Sequence, residues 1–259
     1  MTHPLLNIAV TAARKAGSII TRAFDRREAV KISHKSENDF VTDIDRAAEK
    51  AIIEIIHKAY PSHSILAEES GHHHGDEYTW IIDPLDGTSN FIHGFPHFAV
   101  SIAVKHKDSI EHGVVYDPIK QELFTASRGQ GAKLNRYRLR VSQQISLKGA
   151  LLGTGFPHKD IERLEHYLKE FADFTRKAAS IRRPGAAALD LAYVAAGRLD
   201  GFWEYGLSPW DIAAGALLIT EAGGLLSEPN GGQNYLSTGN IVAANPKLMD
   251  EMMGVISSA

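Results

Sequence analysis

The 259-residue chain contains no cysteine. Disulfides, thiolate nucleophiles and cysteine-ligated zinc are therefore excluded. Strong charge of either sign is also missing, since 28 Lys and Arg stand against 31 Asp and Glu for a formal net charge of −3. A near-neutral, slightly acidic chain is not built mainly to coat nucleic acid. No uninterrupted apolar run approaches the roughly 20 residues of a membrane span. The opening stretch MTHPLLNIAV lacks the basic region and long apolar core of a signal peptide. The expectation is a soluble, cytoplasmic protein with no membrane partner. Repeats and low-complexity linkers are absent too. What remains is 44% hydrophobic, enough for one large unit or two closely packed halves.

One stretch organises the rest: WIIDPLDGTSN, from Trp80 to Asn90. Trp80, Ile81 and Ile82 have the composition of a buried strand. Pro84 lacks an N–H donor, so the strand is expected to stop at Asp83. Asp83 and Asp86, placed together at a strand end, repel unless something positive lies between them. A hard divalent cation with oxygen ligands is the usual solution, and the backbone carbonyl of Leu85 adds another oxygen. Gly87 lets the backbone approach a ligand closely. Gly87, Thr88 and Ser89 can present successive N–H groups to an anion such as phosphate. Metal and phosphate together suggest phosphoryl chemistry. Taken alone, Asp-Pro-x-Asp-Gly also describes an ordinary turn, so the reading depends on partners elsewhere.

The partners emerge along the chain. Leu5 to Phe24 carries apolar residues at helical spacing. Arg26 to Ser36 reads as a loop or short strand. Asp39, Asp43 and Asp45 precede a second helix, with Thr42 or Asp43 as its N-cap and Asp45 in its first turn. Capping electrostatics alone would explain Asp45. Ser64 to Ala67 reads as a strand with Glu68 at its exit, a plausible further oxygen ligand. His72, His73 and His74 read as an exposed loop tip. Phe98 to Lys105 is a central strand, Gly113 to Tyr116 and Glu122 to Thr125 form a hairpin, and Ser127 to Leu134 reads as a loop. A second half begins near Leu151. It contains an amphipathic helix over Ile161 to Phe174, an alanine-rich helix after Gly185, and a strand with Glu204 at its exit. The helix opened by Pro209 has Asp211 in its first turn, either a cap or another metal ligand.

The order of these acidic segments resembles the inositol monophosphatases, within the lithium-sensitive, magnesium-dependent sugar phosphatases. Asp83-Pro84-Leu85-Asp86-Gly87-Thr88-Ser89-Asn90 is similar to the family's first motif. Trp210-Asp211-Ile212-Ala213-Ala214-Gly215, continuing to Glu221-Ala222-Gly223-Gly224, is similar to its second. Glu68-Glu69-Ser70 and Asp39 to Asp45 resemble its other metal-site segments. His97 to Val104 and Ala187 to Arg198 most resemble the bacterial SuhB branch. Ser89 departs from the family's frequent threonine but keeps the hydroxyl.

The resemblance implies an α+β fold, the layered αβαβα sandwich of the inositol monophosphatase and fructose-1,6-bisphosphatase type. It implies one unit over residues 1–259, with a metal- and phosphate-binding half (1–150) and a substrate-binding half (151–259). The implied reaction is Mg²⁺-dependent hydrolysis of myo-inositol 1-phosphate or a related polyol phosphate. Two to three Mg²⁺ ions are implied: one on Glu68, Asp83 and the Leu85 carbonyl, a second on Asp83, Asp86 and Asp211, and a weaker third near Glu68. Catalysis falls to Asp45, Glu68 and Thr88, with Thr88 and Asp45 taking the proton of the attacking water. Substrate contacts fall to Asp86, Gly87, Thr88, Ser89, Gly185, Ala187, Glu204 and Asp211. A homodimer is implied. The branch is also associated with RNA polymerase and antitermination factors, so binding the transcription machinery is the competing function, with the basic segments Arg136 to Arg140 and Arg176 to Arg183 as contacts.

Overall fold

The computed structural model describes residues 3–26, 32–36, 39–157 and 161–258, the side chains of 32–36 and 39–41 excepted. Helix α1 (Pro4–Phe24) starts at a proline that needs no intrahelical donor, and buries Leu5, Leu6, Ala9, Ala12, Ala13, Ala16 and Ile20 on one face. A two-stranded antiparallel ribbon, β1 (Ile32–Ser36) and β2 (Asp39–Thr42), leads into α2 (Asp43–Ala59). Thr42 caps α2: its hydroxyl accepts the Ile44 N–H at 3.1 Å, while the Asp45 carboxylate accepts the Thr42 N–H at 2.9 Å.

The next elements build the first sheet. They are β3 (Ser64–Ala67), β4 (Gly71–His73), β5 (Tyr78–Asp86), the short helix α3 (Thr88–His93), β6 (Ala99–His106), β7 (Ser109–Asp117), β8 (Glu122–Ser127), β9 (Gly131–Leu134) and β10 (Tyr137–Arg138). The eight strands run in the order β10-β9-β8-β7-β6-β5-β3-β4. All neighbours are antiparallel except β3 and β5. A second sheet follows: β11 (Leu151–Thr154), then α4 (Leu164–Lys177), β12 (Ser180–Arg182), α5 (Ala187–Ala195), β13 (Gly201–Glu204), α6 (Pro209–Glu221), β14 (Leu225–Ser227), α7 (Tyr235–Thr238), β15 (Ile241–Ala244) and α8 (Pro246–Ile256). Its order is β12-β11-β13-β15-β14.

Burial sorts these elements into layers. One core packs α1 and α2 on the first sheet through Ile20, Ile52, Trp80, Ile82 and Phe98. A second fills the space between the sheets, where α5 and α6 are apolar nearly all round, as a helix buried on both sides must be. The third packs α4 and α8 on the outer face of the second sheet through Tyr167, Phe174, Trp203 and Met252. The result is the expected αβαβα sandwich.

Three local expectations change. Strand β5 continues through Pro84 to Asp86 instead of stopping at Asp83. Asp83 pairs with Ser101 and Asp86 with Ala99, so β5 carries one extra residue there, a bulge in which a proline costs no ladder bond. The segment Ser127 to Leu134 is not all loop: Ser127 pairs with Gly131, and β9 continues the meander. His72 and His73 form the exposed edge strand β4 against β3, with His74 just beyond. An edge exposed on both faces has no apolar alternation to read.

Candidate active site

The bulge in β5 aims two acids in one direction. Normal alternation would send neighbouring side chains to opposite faces, but the extra residue brings Asp83 and Asp86 to the same place. The first turn of α6 faces them, and carboxylate oxygens of Asp83, Asp86 and Asp211 lie within 4.8 Å of one another. At that spacing each ionised pair repels by about 3–4 kcal/mol for an effective dielectric of 20. Burial, and then the charges of Glu68, Asp86 and Asp211, push the Asp83 carboxyl well above the usual carboxylate range. Asp86 is pushed up the same way, by burial and then by Asp211, with Glu204 and Glu68 adding to it. Such a cluster of hard oxygen donors fits a divalent cation of the Mg²⁺ type.

Each acid is held by backbone donors that fix its direction. The Leu85 N–H donates to Asp83 Oδ1 at 2.9 Å. The Ala188 N–H, at the positive end of α5, donates to Asp86 Oδ2 at 2.8 Å. The Ser208 N–H donates to Asp211 Oδ2 at 2.7 Å. Asp211 is therefore an N-terminal capping residue as well as a member of the cluster. Glu68 sits half-buried where β3 ends, its N–H bonded to the Ile82 carbonyl at 3.1 Å, close enough for its charge to raise Asp83.

Beside the acids, Gly87 turns the chain from β5 into α3. Its φ of 93° is left-handed, and a Cβ there would lie 2.9 Å from the His97 carbonyl oxygen, so only glycine fits without strain. The first helical bond of α3 runs from the Phe91 N–H to the Gly87 carbonyl. The N–H groups of Thr88, Ser89 and Asn90 precede it. The Thr88 hydroxyl lies 2.8 Å from Asp45 Oδ1 and 3.0 Å from the Leu85 carbonyl oxygen. Its single proton is shared between them. Asp45 is fully buried, and that burial raises its carboxyl above the ordinary value although hydrogen bonds from Thr42 and Thr88 pull it back. Thr42 holds the other Asp45 oxygen through both N–H and hydroxyl. The side chain of Asp39 lies outside the described residues.

The second half closes the far side. Ala187 is buried at the start of α5, Gly185 precedes it, and Ser89 is exposed. Glu204 leaves β13 half-buried and lies across the backbone of Gly155, where any Cβ would overlap its carboxylate. Two features have no counterpart in the sequence reading. One is the Ala188 N–H on Asp86, invisible because any residue carries an N–H. The other is Asp190, 1% exposed, whose Oδ1 has no hydrogen-bond partner among the described residues. Burial, Glu204 and Asp86 raise its carboxyl well above the usual range, against a smaller opposing effect of Arg183. An acid inside the apolar helix AALDLAYVA was the available signal.

Layers, bulge and acidic centre together fit a phosphatase-type hydrolase. The chain belongs to the inositol monophosphatase family, whose sequence model matches residues 1–258. It is 56% identical over 260 residues to the Nus factor SuhB of Pseudomonas aeruginosa, covering 98% of this chain and 96% of that protein. Among solved structures, the extragenic suppressor protein SuhB of Bartonella henselae superposes with a TM-score of 0.97 at 42% identity, covering 99% of this chain and all of that one. The inositol monophosphatase of Anabaena superposes with a TM-score of 0.88 at 40% identity over 98% of this chain and 96% of that one. These relatives place the chain in the bacterial SuhB branch.

Proposed function

We propose that the protein is a Mg²⁺-dependent phosphomonoesterase that hydrolyses myo-inositol 1-phosphate, or a related polyol phosphate, to the polyol and inorganic phosphate. The observation that carries this is the trio of buried Asp83 and Asp86 with half-buried Asp211, within 4.8 Å of one another beside the Gly87 turn. Glu68, Asp83 and the Leu85 carbonyl would hold one Mg²⁺; Asp83, Asp86 and Asp211 would hold another, with a third near Glu68. Bound there, the ions would lower the pKa of water and neutralise charge on the leaving oxygen. The N–H groups of Gly87 and Thr88 hold phosphate oxygens, with Ser89 beside them. Thr88 takes the proton of the attacking water as its own proton passes to Asp45 Oδ1, 2.8 Å away. The water oxygen bonds to phosphorus, the bond from phosphorus to the polyol oxygen breaks, that oxygen takes a proton from solvent water, and Asp45 returns its proton to solvent. Asp86, Asp211 and Glu204 accept hydrogen bonds from polyol hydroxyls, and Gly185 and Ala187 form the wall. Carboxylates at this end reject a second phosphate, so a monophosphate is preferred to a bisphosphate. Residues 1–150 form the metal and phosphate half, residues 151–259 the substrate half, with Asp211 crossing between them.

The test is hydrolysis of a panel containing inositol 1-phosphate, fructose 1,6-bisphosphate and NADP, with and without Mg²⁺. Mg²⁺-dependent release of phosphate, fastest from the polyol monophosphate, is expected. Absence of turnover on every member at saturating Mg²⁺ would overturn the reading.

A second reading has one specific support, the 56% identity to a protein named Nus factor SuhB. A homodimer of this chain would bind RNA polymerase or an antitermination factor, using exposed Arg136 and Arg138 at the β10 edge. Capture of these factors by an Asp83→Asn variant would separate binding from turnover.

A further inference from the structure

We infer that Asn90 is a positioning residue that ties the phosphate-binding turn to the substrate wall of the other half, and so sets selectivity for the polyol. This rests on the assignment of Gly185 and Ala187 as that wall. Asn90 is half-buried in the first turn of α3, next to Ser89. Its Nδ2 lies 2.8 Å from the His97 carbonyl oxygen, 2.9 Å from that of Pro184 and 3.2 Å from that of Gly185. Three carbonyl oxygens around one atom require it to be the donor, which fixes the amide orientation. The amide thus spans from the stretch behind Gly87, where the same His97 oxygen lies close against the glycine, to the residues just before α5. The Asn90 carbonyl accepts the Phe95 N–H at 2.8 Å, so its backbone also anchors the exit of α3.

The residue type is dictated by the job. Serine at this reach offers one proton, aspartate would set negative oxygens against three carbonyls, and alanine offers nothing. Helix α5 begins two residues beyond Gly185, with Ala187 of the wall as its first residue. A displaced Pro184–Gly185 segment therefore moves the wall relative to the phosphate turn, and a wall out of place binds the polyol less tightly while the phosphate turn is untouched.

Asn90→Ala and Asn90→Asp would be compared with the unaltered protein in two measurements. In the first, hydrogen–deuterium exchange follows peptides covering residues 183–188 and 87–92. Faster exchange at 183–188 in both variants, with 87–92 and the melting temperature nearly retained, is expected. In the second, kcat and KM are measured for inositol 1-phosphate and for 4-nitrophenyl phosphate, which has no polyol hydroxyls. The ratio of kcat/KM for the two substrates should fall about tenfold through KM for the polyol. Unchanged exchange at 183–188 would overturn the tether. Equal losses on both substrates would reduce Asn90 to a support of the fold and overturn the selectivity role. If the unaltered protein hydrolyses neither phosphate, the phosphatase reading fails while the exchange experiment still decides the tether.

Discussion

At the scale of single residues, the acids divide by what holds them. Asp83 is held by one N–H and repelled by three neighbouring carboxylates, so its removal disturbs the acidic cluster more than the backbone. Asp83→Asn is expected to lower turnover by about 10³-fold with unchanged circular dichroism. Thr88→Ala removes the hydroxyl on Asp45 but no carboxylate. Turnover should drop about 10²-fold, while the Mg²⁺ midpoint in an activity titration moves less than about twofold. These residues were legible because each stands where regular structure breaks: Asp83 and Asp86 around a proline, Gly87 at a turn, Asp211 after the proline that opens α6. Asp190 was not, and Asn90 was legible only as a member of the first motif, since the groups that each of them meets are distant in sequence. A buried acid in an apolar helix is a signal of something, but only packing against β13 and Asp86 gives it a place.

At the scale of elements, periodicity located the long helices and central strands well, and it failed at β4, β9 and the end of β5. Those are an exposed edge, a glycine-rich return and a bulge, and none has the clean alternation of a strand with one wet face. The turn after the bulge depends on its glycine. Gly87→Ala should destabilise the fold by about 1–3 kcal/mol in urea unfolding, because the left-handed φ and the His97 carbonyl penalise a Cβ together. A different element carries a pH response. Glu170 on α4 is fully buried, accepts the Tyr205 hydroxyl, and lies 3.1 Å from the His166 ring, with Arg163 over the Tyr205 ring. Burial raises its carboxyl from 4.5 to about 7. A raised acid favours the protonated fold, so this contribution is complete below about pH 4.5 and is lost as pH climbs through about 7. Relative to Glu170→Gln, the unaltered protein should lose on the order of 1–3 kcal/mol across that window, read from denaturant midpoints at a series of pH values.

At the scale of the whole molecule, the acidic centre is a liability without its cations. Burying Asp83 and Asp86 beside Asp211 costs stability that bound ions would return, because a ligand taken up only by the folded state stabilises it by mass action. Mg²⁺ at about 100 times its dissociation constant should add about 2.7 kcal/mol. Chelation with EDTA should lower the melting temperature accordingly. Asp83→Asn should melt higher than the unaltered protein when both are stripped of metal, and should gain much less from Mg²⁺. A variant that melts lower than the stripped parent would contradict the repulsion argument.

The centre is also assembled from pieces far apart in the chain: Asp45 on α2, Asp83 to Thr88 around the bulge, and Asp211 on a helix seated between the sheets. A nascent polypeptide leaving the ribosome therefore exposes the first two long before the third has been translated. Until α6 docks, a growing chain has only α5 of its middle layer and lacks Asp211 of the acidic cluster, so products that end before Asp211 are expected to leave the facing sheet surfaces uncovered.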